Sequence, residues 1–139
     1  ISFGLVSKFF SNIKSSLDAK KQICLYFGLD KGGFRILESW MQHFTVVRNI
    51  CAHHSRLWDR DIRQEPVFAK NLAPPWIRCF PDNRKIYKTL SLLSWLSNLI
   101  TDDFVYGKMF SDFIQAHDYM PVKEMGFPGN WMEEDLWKT

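Results

Sequence analysis

Phe34-Arg35-Ile36-Leu37-Glu38-Ser39-Trp40-Met41-Gln42-His43-Phe44-Thr45-Val46-Val47-Arg48-Asn49-Ile50-Cys51 decides the fold. Leu37, Trp40, Met41, Phe44, Val47 and Cys51 recur at three- and four-residue steps, which sets them along one face of a long α-helix. Upstream, apolar residues at 5, 6, 9, 10, 13 and 17 predict an amphipathic helix over 5–17. Asp18 is placed to N-cap a second helix running to Phe27, and Gly28, Asp30, Gly32 and Gly33 supply its stop and a turn.

Downstream, Pro66, Pro74, Pro75 and Pro81 forbid a continuous helix, so residues 66–82 read as an extended connection over the surface. Ile86, Leu90, Leu93, Leu96, Leu99 and Ile100 restore the helical period, widened by Leu92 and Trp95. Asp102 and Asp103 suit the start of a further helix through Phe104, Phe110, Phe113 and Ile114 toward His117. The tail from Pro121 reads as short turns ending in Trp131 and Trp137, both expected to pack. No alternating strand pattern and no repeat is visible. The fold class is therefore all-α, an irregular helical bundle, expected as a single domain over residues 1–139.

Composition narrows the classes further. Of 139 residues, 46% are hydrophobic and 16% aromatic, including 12 Phe and 6 Trp, enough to leave apolar surface over once one core is filled. That favours a partner or self-association. The net charge of +3 is uneven: residues 1–63 hold 10 basic and 5 acidic side chains and residues 64–139 hold 8 and 10, so the first half is the better face for a polyanion. Cys24, Cys51 and Cys79 have neither disulfide-framework nor zinc-ribbon spacing, which fits a reducing cytoplasm. The longest nearly apolar run, Leu90 to Ile100, falls far short of the ~20 residues that span a bilayer, so no membrane partner is expected.

The chemistry concentrates between Val47 and Arg60, where an apolar stripe abruptly acquires three arginines, two histidines and an asparagine. Continued as a helix at 100° per residue, Asn49, His53, Arg56 and Arg60 would share a basic ridge about 60° wide, opposite the apolar stripe. Arg48 would instead lie on the apolar side with Phe44 and Cys51, where a guanidinium needs an anion, a carboxylate or a subunit edge.

Arg48, four intervening residues and His53, with the polar Asn49 after the arginine, resemble the signature of HEPN domains. The wider string from Arg48 through His53, His54, Ser55, Arg56 and Leu57 to Trp58 resembles the AbiD/AbiF abortive-infection family, as do the opening Ser2-Phe3-Gly4 to Leu29 and the closing Met125 to Trp131 with Leu136 and Trp137. Members of that family are longer. The resemblance implies that this chain corresponds to roughly their second half, without the N-terminal helices, and that its bundle is of the HEPN type.

It also implies a metal-independent endoribonuclease of phage defence, toxic to its host and restrained by an antitoxin protein or an inhibitory RNA, in which the ribose 2′-hydroxyl attacks the adjacent phosphate. Catalysis would fall to Arg48, His53 and Asn49, and RNA binding to Arg56, Arg60 and His54. The residue types suit it: imidazole moves protons near neutral pH, and a forked, permanent cation stabilises phosphate charge. About 140° of helical rotation separates Arg48 from His53, so the family's homodimer would be needed to bring two motifs to one cleft.

Plainer readings stand beside these. A histidine late in a helix usually caps carbonyls or fills the core, which is the better reading for His54. Arg56 and Arg60 could be a solvated face or partners of Asp59 and Asp61, and Asn49 could orient His53 or polarise substrate. Trp58 is most simply a core anchor. A metal site from His43, His53 and His54 lacks an acidic or cysteine ligand at recognisable spacing, and no cofactor motif is present. The same residues could also form a non-catalytic RNA- or nucleotide-binding module, or a dimerisation domain with Arg48 buried.

Overall fold

A computed structural model describes residues 2–30, 32–101 and 105–138. Among them are five α-helices, Phe3–Asn12 (α1), Asp18–Tyr26 (α2), Phe34–Ala52 (α3), Tyr87–Ile100 (α4) and Tyr106–Gln115 (α5), two short 3-10 turns near the C-terminus, and no strand. The all-α expectation holds. The chain packs as two compact units, one of residues 1–57 with 62–72 and the other of residues 58–61 with 73–139.

In the first unit, α1 lies against α3. The Ser2 hydroxyl starts α1 by accepting from the Leu5 N–H at 3.3 Å, and Phe10 is buried on the inner face. Phe3 meets Phe44 edge to face at 6.5 Å, and a Cβ at Gly4 would come within 3.3 Å of the Thr45 methyl, so glycine permits the close approach. The helix ends at Asn12, short of Leu17, because Lys20 claims its last turn. The Lys20 ammonium, 3% exposed, donates to the carbonyl of Ile13 at 3.0 Å and pairs with Glu38 of α3 at 2.8 Å. It also sits over the rings of Phe10 and Phe34, at 4.9 and 5.3 Å. One buried cation thus joins α1, α2 and α3, and it is tolerated there because a carboxylate and a carbonyl offset its desolvation.

Asp18 lies in the first turn of α2, where its charge complements the helix dipole, and Leu17 holds the N-cap position that the sequence assigned to Asp18. The end of α2 is as expected. Gly28 takes φ +67°, its N–H donates to the carbonyl of Leu25, and the Leu29 N–H donates to Cys24, which together make a Schellman motif.

Helix α3 buries Leu37, Trp40 and Val47 as the stripe predicts, but also Ser39 and His43. Both polar residues answer to the connecting segment. Ser39 Oγ accepts from the Val67 N–H at 2.9 Å, Trp40 Nε1 donates to the Val67 carbonyl at 2.7 Å, and His43 Nδ1 bonds the Gln64 carbonyl. Residues 62–72 are therefore stitched to a helix instead of to a sheet, and they bury Ile62 and Leu72. Residues 66–82 form neither helix nor strand, as the prolines require, and the Val67 backbone finds its partners on α3.

Burial and contact with solvent-excluded neighbours push the His43 imidazole below its ordinary value of 6.5, against smaller opposing effects of the Gln64 hydrogen bond and Glu65. The unfolded chain consequently binds a proton that the folded chain resists. This contribution to stability is complete above about pH 6.5 and is lost as pH falls toward the depressed folded value. Urea midpoints should accordingly drop between pH 7.5 and pH 5, with a smaller drop in His43→Gln.

The second unit is built on aromatic rings. Tyr87 of α4 lies 4.6 Å from Phe127 and 5.9 Å from both Phe80 and Trp137, and Trp131 meets Trp137 edge to face at 5.7 Å. Both tail tryptophans pack, as expected. Trp95 donates to the Ala73 carbonyl at 2.9 Å, and Ile77 is buried, so the proline-rich segment supplies core here too. Lys85 ties residues 58–61 to this unit, reaching the Asp59 carbonyl at 2.6 Å and the Asp61 carboxylate at 2.9 Å. The expected start of the last helix at Asp102, Asp103 and Phe104 falls outside the described residues. No helix among the described residues is long and apolar enough to cross a membrane.

Candidate functional site at the end of the third helix

Helix α3 stops at Ala52, and His53 is its C-cap with φ −90° and ψ 16°. His54 then turns left-handed at φ +52°. The His54 N–H donates to the Cys51 carbonyl at 3.0 Å and the Ser55 N–H to Ile50 at 3.1 Å, a second Schellman motif with the same bond pattern as the one at Gly28. Here a histidine occupies the position that glycine fills at the end of α2. The conformation costs an L-residue on the order of 1–2 kcal/mol that glycine escapes.

The turn corrects the basic ridge. Asn49 is on the helix and His53 at its tip, but Arg56 lies past the reversal, and Arg60 belongs with the second unit. The 100° progression that would align all four ends at Ala52. Trp58 also lies beyond the helix and is 38% exposed, so it is not the core anchor the sequence suggested.

Arg48 is exposed on α3, as are Asn49 and Cys51, so the guanidinium is not buried against the apolar stripe. The buried face centres on Trp40, His43 and Val47, which rotates Arg48 toward its edge. Arg48 Nη1 donates to Asn49 Oδ1 at 3.1 Å, so the asparagine side chain holds the arginine, while its backbone carbonyl accepts from the His53 N–H at 3.0 Å. Arg48, Asn49 and His53 therefore share a single helix end, joined by one side-chain and one main-chain hydrogen bond.

The four histidines divide by role. His43 is buried and bonded to Gln64. His117 uses its ring as a cap, with Nδ1 at 2.7 Å from the Phe113 carbonyl near the end of α5. His53 and His54 are exposed, and the carbonyls at the end of α3 are satisfied by backbone N–H groups, so neither ring is needed for capping. Among the described residues these two rings take part in no hydrogen bond. The burial of His43 likewise separates it from the other two as a ligand set, and no three His, Cys, Asp or Glu side chains gather as for a metal ion among the described residues.

Chemically, this helix end offers a forked cation, an amide and two solvent-facing imidazoles, the equipment for holding a phosphodiester and moving protons around it. The family model of Abi-like proteins matches residues 1–59. Over these residues the chain is similar to Abi-like proteins. The matched segment takes in α1, α2 and α3 with Arg48, Asn49, His53, His54 and Arg56, and stops one residue before Arg60. No curated protein and no solved structure matches the chain. What sequence reasoning missed in the matched segment is the left-handed turn at His54, since the residue that usually signals it, glycine, is absent.

Proposed function

We propose that this chain is a metal-independent endoribonuclease of abortive-infection phage defence. The ribose 2′-hydroxyl attacks the neighbouring phosphorus and expels the 5′-oxygen, leaving a 2′,3′-cyclic phosphate and a 5′-hydroxyl. His53 moves a proton at one of these oxygens, and Arg48, steadied by Asn49, holds the non-bridging oxygens as their charge grows. His54, Arg56 and Arg60 bind flanking RNA. The observation that carries the reading is that Arg48 and His53 are both exposed at one helix end where the fold has no need of either side chain. The Abi-like match supports the phage-defence setting.

The working form is a homodimer in which two such helix ends share a cleft. Leu5 and Phe9 of α1, 56% and 69% exposed in the same unit as the motif, are apolar surface that a second copy would cover. Such an activity is toxic to its own host and needs restraint by an antitoxin protein or an inhibitory RNA. The test is incubation of end-labelled RNA with the protein in EDTA. The parent should cut, and Arg48→Lys, which keeps the charge but loses the fork, should cut about tenfold more slowly or worse. Binding without cleavage would turn the assignment toward a non-catalytic RNA-binding module.

A further inference from the structure

His54 holds a backbone conformation that histidine adopts at a cost and glycine without one, and the same Schellman turn is made with glycine at Gly28. Its ring is exposed and takes part in no hydrogen bond among the described residues, so neither burial nor capping offsets that cost. A strained, solvent-facing side chain with no structural task points to a task outside the fold. His54 directly follows His53, and both are exposed at the same helix end.

We infer that His54 is the second acid–base group of the site, an assignment that rests on the ribonuclease reading. One imidazole of the His53–His54 pair accepts the 2′-hydroxyl proton as the O2′–P bond forms. The other, entering as imidazolium, gives its proton to the 5′-oxygen as the P–O5′ bond breaks. The pair exchanges its protonation states over the step and is reset by water. Acid and base then come from one chain, and the second protomer need not lend an imidazole.

Glycine is the natural probe, since His54→Gly keeps the turn. The variant should melt no lower than the parent yet cut RNA about 100-fold more slowly, and His54→Asn, which also tolerates the left-handed region, should behave alike. An RNA whose scissile 5′-oxygen is replaced by sulfur separates the roles, because a thiolate leaves without being protonated. One of the two variants, His53→Ala or His54→Gly, should recover on that substrate and the other should not. Cleavage of ordinary RNA by His54→Gly at the parental rate, with His53→Ala inactive, would overturn this inference and leave the ribonuclease reading standing. Loss in both variants with recovery in neither would overturn it as well, and a parent that cuts nothing would overturn both.

Discussion

Gly107→Ala should lose on the order of 3 kcal/mol of stability or more, seen as a collapse of the urea midpoint and of tryptophan fluorescence from Trp131 and Trp137. Helix propensity argues the other way, since alanine in the body of a helix is about 1 kcal/mol better than glycine. Position 107 lies in the first turns of α5, where the C-terminal turn crosses it. A Cβ there would stand 2.0 Å from the Leu136 carbonyl oxygen and 3.2 Å from Ser94 Oγ on α4. The first neighbour is backbone, so no rotamer change relieves the overlap, and α5 would have to part from Leu136, which is wholly buried. Ser94 Oγ is itself buried without a hydrogen-bond partner among the described residues, a cost accepted for close approach of the helices. An unchanged or raised midpoint in Gly107→Ala would mean that this contact is not made.

His53→Ala should lower RNA cleavage about a thousandfold, within the 10²–10⁴ range that a positioned general acid or base contributes. Its stability should stay within about 0.5 kcal/mol of the parent. The ring is exposed, the backbone N–H that bonds Asn49 survives the substitution, and alanine accepts φ −90° and ψ 16° without strain. Activity and folding are thereby separated in one variant. A loss of both together would assign His53 to the fold.

The legible parts of the molecule were those whose signal is local. The α3 stripe through Leu37, Trp40 and Val47, the stop at Gly28 and the packing of Trp131 and Trp137 all followed from period or residue type. The end of α3 was not legible, because His54 does the work of a glycine. Extrapolating the helix past Ala52 gave Arg56 and Arg60 places on a ridge that the reversal removes. The burial of Ser39 and His43 was invisible for another reason: their partners at Gln64 and Val67 are backbone groups more than twenty residues away, to which no periodicity refers. In the candidate site, Arg48, Asn49 and His53 stood out by type, whereas the bond from Arg48 to Asn49 and the strain at His54 needed coordinates.

The ribonuclease reading stands or falls on which oxygen attacks phosphorus. The most direct measurement is the mass of the fragment ends produced in EDTA from an RNA oligonucleotide and from the same strand carrying one 2′-deoxynucleotide at the cleaved position. The account predicts fragments ending in a 2′,3′-cyclic phosphate and beginning with a 5′-hydroxyl, with cleavage abolished at the deoxy position. Fragments beginning with a 5′-phosphate, or cutting that continues at the deoxy position, would contradict it.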